Sequence, residues 1–136
     1  MNIVVCVKQV PGTTEVKMNK ETNTIIREGV EAIINPFDMH AVEEGLRIKE
    51  RLGGKVTVLS MGIPSVAELL KTTIGLGADD AVLLSDRAFA GADTLATSYA
   101  LSMGIRKMES VDLVICGKQA TDGDTAQVGP SLAEKL

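Results

Sequence analysis

The chain has 136 residues, with 14 Lys and Arg against 18 Asp and Glu for a net charge of -4, and neither sign gathers into a block. That length suits one domain, and the balance excludes a basic nucleic-acid face. Aromatic residues are limited to Phe37, Phe89 and Tyr99, so no stacking platform for single-stranded nucleic acid is available and the core must rest on Val, Ile, Leu, Met and Ala.

Asn2 to Val10 is an apolar, β-branched run closed by Pro11 and Gly12, the pattern of a central parallel strand covered on both faces. Glu15 to Met18 and Thr24 to Arg27 flank the polar stretch Asn19 to Asn23 and predict a small hairpin outside the main sheet. From Phe37 to Leu52 the apolar residues Ala41, Val42, Leu46, Ile48 and Leu52 recur at helical spacing until Gly53-Gly54 ends the period. Val56 to Ser60 reads as the second strand. Pro64 then opens a helix running to about Leu76, because proline suits a first helical turn.

Ala81 to Leu84 gives a third strand, Asp93 to Met108 a long helix, Val111 to Cys116 a fourth strand, and Thr125 onward a helical pattern still running at Leu136. Strands alternating with helices imply an α/β fold: a Rossmann-like, open, mostly parallel sheet with helices on both faces. The longest apolar runs are strand-sized and no signal-peptide pattern opens the chain, so the expectation is a cytoplasmic protein without membrane insertion. Cys6 and Cys116 each sit inside an apolar run and read as free, buried thiols, with neither a disulfide nor a metal site expected. The sole histidine, His40, stands on a helical segment and reads as structural.

Several chemistries fail for want of their residues. The turn Lys8 to Thr14 after the first strand lacks the spaced glycines of a dinucleotide fingerprint, and no Gly-Lys-Ser/Thr supplies a phosphate loop. No Gly-x-Ser-x-Gly elbow exposes a nucleophile. What survives is the segment Asp122-Gly123-Asp124-Thr125-Ala126-Gln127-Val128-Gly129-Pro130 after the fourth strand. Ligands of open α/β sheets settle beyond strand carboxyl ends, where a helix start offers free N–H groups. Gly123 would relax the backbone, Asp124 could cap the helix, and Thr125 and Gln127 offer polar groups to ribose, phosphate or base; a capped loop-to-helix junction explains the same letters equally well. A second loop, Ala88 to Thr97, follows the third strand and places Asp93, Thr94 and Thr97 at a helix start, where capping alone is again a sufficient reading. Two such loops on successive strand ends together favour a nucleotide crevice. Asn35-Pro36-Phe37-Asp38 reads by default as a structural turn, and Met61 and Cys6 as core residues able to pack against an adenine ring.

Val7-Lys8-Gln9-Val10-Pro11, Asn35-Pro36-Phe37-Asp38, Ala41-Val42-Glu43-Glu44, Gly77-Ala78-Asp79, Gly91-Ala92-Asp93-Thr94 and Gly117-Lys118-Gln119 through Pro130 occur in one order over essentially the whole chain. That set resembles the electron-transfer flavoprotein beta subunit. The resemblance implies a sheet of the adenine nucleotide alpha hydrolase-like type, an alpha-subunit partner, and electron transfer from dehydrogenases such as acyl-CoA dehydrogenase, with AMP or a second FAD held by the beta subunit. It assigns nucleotide contacts to Cys6, Asn35, Pro36, Phe37, Asp38, Met61 and Asp122 to Pro130, with Asp93, Thr94 and Thr97 added in the second-FAD, bifurcating branch. The Asp-Gly-Asp-Thr-Ala-Gln-Val-Gly-Pro wording is closer to that branch, so FAD is expected ahead of AMP. No catalytic residue is nominated, since the cofactor carries the chemistry. Residues 1 to 136 are expected to form one nucleotide-binding domain that stops short of the family's C-terminal part. The alternative from another class is a stand-alone adenine-nucleotide-binding regulatory module.

Overall fold

Alternation along β1 (Asn2–Cys6) decides the layering: Ile3 and Val5 point to one side of the sheet and Val4 and Cys6 to the other, and each set is buried. The computed structural model describes residues 1–12, 18–25 and 30–136. After β1 the chain forms β2 (Gln9–Pro11), β3 (Met18–Asn19), β4 (Thr24–Ile25), β5 (Ala32–Ile34), α1 (Pro36–Leu52), β6 (Lys55–Met61), α2 (Val66–Leu76), β7 (Asp80–Leu84), a 3₁₀ turn at Arg87–Phe89, α3 (Thr94–Arg106), β8 (Leu113–Cys116) and α4 (Val128–Lys135).

Among the described residues four strands make the main sheet, in the order β7-β6-β1-β8, and every pairing in it is parallel. Asn2 to Cys6 run beside Lys55 to Leu59 on one side, and Ile3 to Cys6 run beside Leu113 to Cys116 on the other. One face packs Ile3, Val5, Val56 and Val58 against Ala41 and Val42 of α1 and Val66 and Leu70 of α2. The opposite face packs Val4, Cys6 and Leu59 against Leu101 and Ile105 of α3 and Leu132 of α4. This is the doubly covered, Rossmann-like sheet that the strand and helix alternation predicts. Gly45 lets α1 lie close, because a Cβ there would come within 2.9 Å of Val5 Cγ2.

The first strand is shorter than the apolar run predicts. Beyond Cys6, the Val7 amide still bonds Leu59 O at 2.9 Å, but the Lys8 amide turns to the Asp38 carboxylate at 2.8 Å. Gln9–Pro11 then leaves the main sheet and pairs antiparallel with Ala32–Ile34. The run stays apolar across this change because Val10, at 1% exposure, is as buried as the strand before it. Met18–Asn19 pairs antiparallel with Thr24–Ile25 as a separate ribbon, in keeping with the expected hairpin; residues 15–17 and 26–27 of that expectation lie outside the described residues.

Two helix starts also move. Pro64 belongs to a tight turn with successive i to i+3 bonds, Val66 N to Ile63 O, Ala67 N to Pro64 O and Glu68 N to Ser65 O, and α2 proper begins at Val66. The last helix begins at Val128, three residues after Thr125. No helix among the described residues is long and apolar enough to cross a membrane.

Candidate functional site

Strand order creates the crevice. From β1 the chain passes through α1 to β6 and on to β7, then returns over the other face through α3 to β8, on the far side of β1. The segments leaving β1 and β8 therefore diverge to opposite faces, and the gap beyond Cys6 and Cys116 is the switch point at which open α/β sheets hold ligands.

Asn35 ties this edge together. Its side chain does not cap α1; the amide nitrogen donates to Gln119 O at 2.8 Å, and Oδ1 accepts from the Thr121 amide at 3.2 Å. At 1% exposure the residue is buried, so these bonds satisfy groups that would otherwise be costly to bury. A local turn is thus the wrong reading of Asn35: its partners lie more than eighty residues away in the β8 to α4 connection. Pro36, exposed, opens α1 and Phe37 is half-buried beside it. Asp38 is buried and accepts from the Lys8 amide, with further hydrogen bonds from Asn35 and the Gly117 amide. Burial pushes its carboxyl up to about 6, and those hydrogen bonds with the Lys8 ammonium oppose the rise.

Gly117 is required by this approach. A Cβ there would overlap the Asp38 carboxylate and lie 2.8 Å from both Asp38 N and Phe37 C. The glycine lets the end of β8 run directly under the start of α1. On the outer side Lys8 Nζ meets Asp122 Oδ1 at 2.7 Å, pinning the connection after β8 to the end of β1.

The Asp122 to Pro130 segment differs from its sequence reading in two ways. Asp124 does not cap α4; its amide bonds Ala120 O at 3.0 Å, closing one turn, and its carboxylate takes a hydrogen bond from the Gln119 side chain. The left-handed conformations expected of Gly123 fall on Asp124 (φ 55°) and Ala126 (φ 54°) instead. Asp tolerates that region because its short polar side chain bonds locally; Ala has no such compensation. Gln127 precedes α4 without a side-chain cap, so the amides of its first turn have no intrahelical partner, and Pro130 removes one of them. Thr125 is exposed, and Gly129 packs under the segment, where a Cβ would sit 3.5 Å from Cys116 Cβ.

Asp93 is the N-cap of α3, its Oδ1 accepting from Ala96 N at 2.8 Å, with Thr94 and Thr97 half-buried on the turn behind it. The starts of α3 and α4 are joined by Ser98 Oγ and Ser131 Oγ at 2.7 Å, and Lys135 Nζ reaches Ser131 Oγ at 3.2 Å. Met61 ends β6 on the same face as Cys6 and Cys116, in the cluster that includes Val128. Two open clefts, one lined by Ile105, Met108, Val111 and Leu136 and the other by Glu44, Arg47 and Arg51, contain none of these residues. His40 is exposed on α1.

Residue chemistry alone missed Lys8, Gly117, Gln119, Ser98 and Ser131 as members of this edge. Ser98 carried a signal: it shares a helical stripe with Leu101 and Ile105, a place where a hydroxyl needs a partner.

Residues 22–136 match the electron transfer flavoprotein domain. The chain is 60% identical over 137 residues to the electron transfer flavoprotein subunit beta of Thermoanaerobacterium thermosaccharolyticum, covering 100% of this chain and 52% of that protein. It is 58% identical over 139 residues to Protein FixA of Azotobacter vinelandii, again over 100% of this chain and 50% of the relative. The caffeyl-CoA reductase-Etf complex subunit CarD of Acetobacterium woodii is 56% identical over 137 residues, with 100% and 52% covered. The chain spans about half the length of these curated relatives. With residues 22–136 matched by the family and its whole length aligned to these relatives at 56–60% identity, the chain belongs to the electron transfer flavoprotein domain family.

Proposed function

We propose that this chain is the nucleotide-binding core of the beta subunit of a heterodimeric electron transfer flavoprotein, which with an alpha subunit relays electrons from dehydrogenases, acyl-CoA dehydrogenase among them, to acceptors. The observation that carries the reading is the Asn35 bridge: the start of α1 and the connection after β8 are hydrogen-bonded to each other across the switch point, as a preformed nucleotide crevice requires. The names of the similar proteins support the subunit type.

The residues present fit an adenine nucleotide. The uncapped first turn of α4 offers amides and the positive end of its dipole to phosphate. Around Gly123 there is open space, with nothing within 4 Å of an added Cβ, so a ligand can approach the backbone. Asp93, Asp124, Thr94, Thr97 and Thr125 are the polar groups available to ribose hydroxyls, and Met61, Cys6 and Val128 form an apolar floor for adenine. FAD would supply one- and two-electron redox chemistry, whereas AMP would be structural. The chain's own part is to bind and orient: Lys8 holds Asp122, Gln119 holds Asp124, and Asn35 and Asp38 hold the main chain on which both depend. FAD is the preferred ligand because Asp93, Thr94 and Thr97 stand at a second helix start, joined to the first through Ser98 and Ser131.

Titration calorimetry with FAD and with AMP tests the reading. Asp124→Ala should weaken both ligands at least tenfold, the loss of roughly 1.4 kcal/mol. Thr97→Val should weaken FAD while leaving AMP unchanged. Failure of the unaltered protein, with its alpha subunit present, to bind either nucleotide would refute the assignment, and equal losses for both ligands in Thr97→Val would refute the preference for FAD.

A further inference from the structure

Cys6 and Cys116 end the two strands that flank the switch point, and they are register partners in the parallel β1–β8 pair. Both side chains enter the same face, within the cluster of Val4, Leu59, Leu101 and Leu132. Neighbouring strands lie about 4.8 Å apart, inside the roughly 4.4–6.8 Å Cα separation that a disulfide spans. Both thiols are free, Cys6 is buried at 8% exposure, and Cys116 is partly accessible. Separated by more than a hundred residues, each looks in sequence like a small hydrophobe.

We infer that Cys6 and Cys116 form a redox-active dithiol that a peroxide converts to a disulfide across β1 and β8, with Cys116 meeting the oxidant and Cys6 resolving it. The hydrogen bond from Cys6 lowers the Cys116 thiol from its ordinary range, and that bond together with burial raises Cys6, so the more exposed sulfur is also the better thiolate. Its sulfur attacks one peroxide oxygen, the O–O bond breaks and hydroxide leaves, giving a sulfenic acid at Cys116. The Cys6 sulfur then attacks Cys116 Sγ; the S–O bond breaks, and the departing hydroxide takes the Cys6 proton and leaves as water. Two electrons have passed from the sulfurs to the peroxide. The new bond fixes the strand ends beneath Gly129 and the start of α4, next to the proposed nucleotide amides. The inference rests on sheet register and does not depend on which nucleotide the crevice holds.

The full chain is treated with a small excess of hydrogen peroxide at neutral pH, alkylated, digested with trypsin without reduction and read by mass spectrometry. The expected product is the peptide Met1–Lys8 joined to Met108–Lys118, formed within one chain and reversed by dithiothreitol. A second measurement, timed alkylation of the untreated native protein, should label Cys116 before Cys6. Over-oxidation of Cys116 with Cys6 left free, dimers linked through Cys116, or two native thiols that stay inert yet react in denaturant would each overturn the proposal, as would faster labelling of Cys6.

Discussion

Asp38 shows how one buried carboxyl can serve an edge of the sheet at a cost in stability. Its hydrogen bonds from Lys8 and Gly117 join β1 and β8 to α1, yet burial leaves its proton bound up to about pH 6. Between the ordinary aspartate value of 3.8 and about 6 the folded protein therefore holds more protons at this residue than the unfolded chain does. The contribution of Asp38 to stability is consequently greatest below pH 4, falls as the pH rises through that window, and levels off above it. Urea unfolding of the unaltered protein and of Asp38→Asn at pH 4, 5, 6 and 7 should show the former losing stability relative to the latter, by roughly 3 kcal/mol at most across the window. A constant difference between the two proteins would mean that the carboxyl titrates normally in the fold. Asn35 and Asp38 were candidates only through the family resemblance, since the Asn-Pro-Phe-Asp run by itself reads as a structural turn, and their partners were not legible at all. Lys8, Gln119 and Thr121 become neighbours only when β8 returns beside β1, a pairing on which no local pattern bears.

At the scale of elements, the sequence pattern identified each strand of the main sheet and the four α-helices among the described residues: the helices carry an apolar stripe at helical spacing, and the strands, covered by helices on both faces, read as short apolar runs. Boundaries were less legible, for physical reasons that differ from case to case. The start of α4 was misread since Asp124 and Thr125 have the chemistry of a cap, while the chain spends Asp124 on closing the turn with Gln119 and delays the helix to Val128. Pairing of β2 with β5 was missed because three residues give too short a run to show alternation. At α3 capping was one of two readings of the loop; Asp93 does cap the helix, and the cap makes a separable prediction. Asp93→Ala should cost about 1 kcal/mol in denaturant unfolding, whereas Asp93→Asn, which keeps the accepting oxygen, should cost only a few tenths. If both substitutions are neutral, the bond to Ala96 contributes nothing to α3.

The whole molecule distributes its stability unevenly, and the distribution follows the strand order. β1 and β6 each have a strand on both sides, and Val5, Val56, Val58 and Leu59 are fully buried, whereas β7 and β8 are paired on one side only among the described residues and their side chains are half-exposed. Amides of an inner strand exchange only through large openings, while those at an edge are released by smaller ones. Hydrogen exchange of this 136-residue chain should therefore be slowest at Val4, Val5, Val58 and Leu59 and faster throughout β8. The connection after β8 should exchange faster still, because its main chain is held by the Asn35 side chain and the Lys8–Asp122 pair instead of by a strand ladder. A nucleotide in the switch-point crevice would add its binding free energy where openings are cheapest. Saturating FAD should accordingly slow the segment from Gly117 to Gly129 and the start of α1, and leave β7 as it was. Slowing spread evenly over the sheet would point to global stabilisation by a ligand bound elsewhere, and slowing confined to β7 would move the site away from Asn35 altogether.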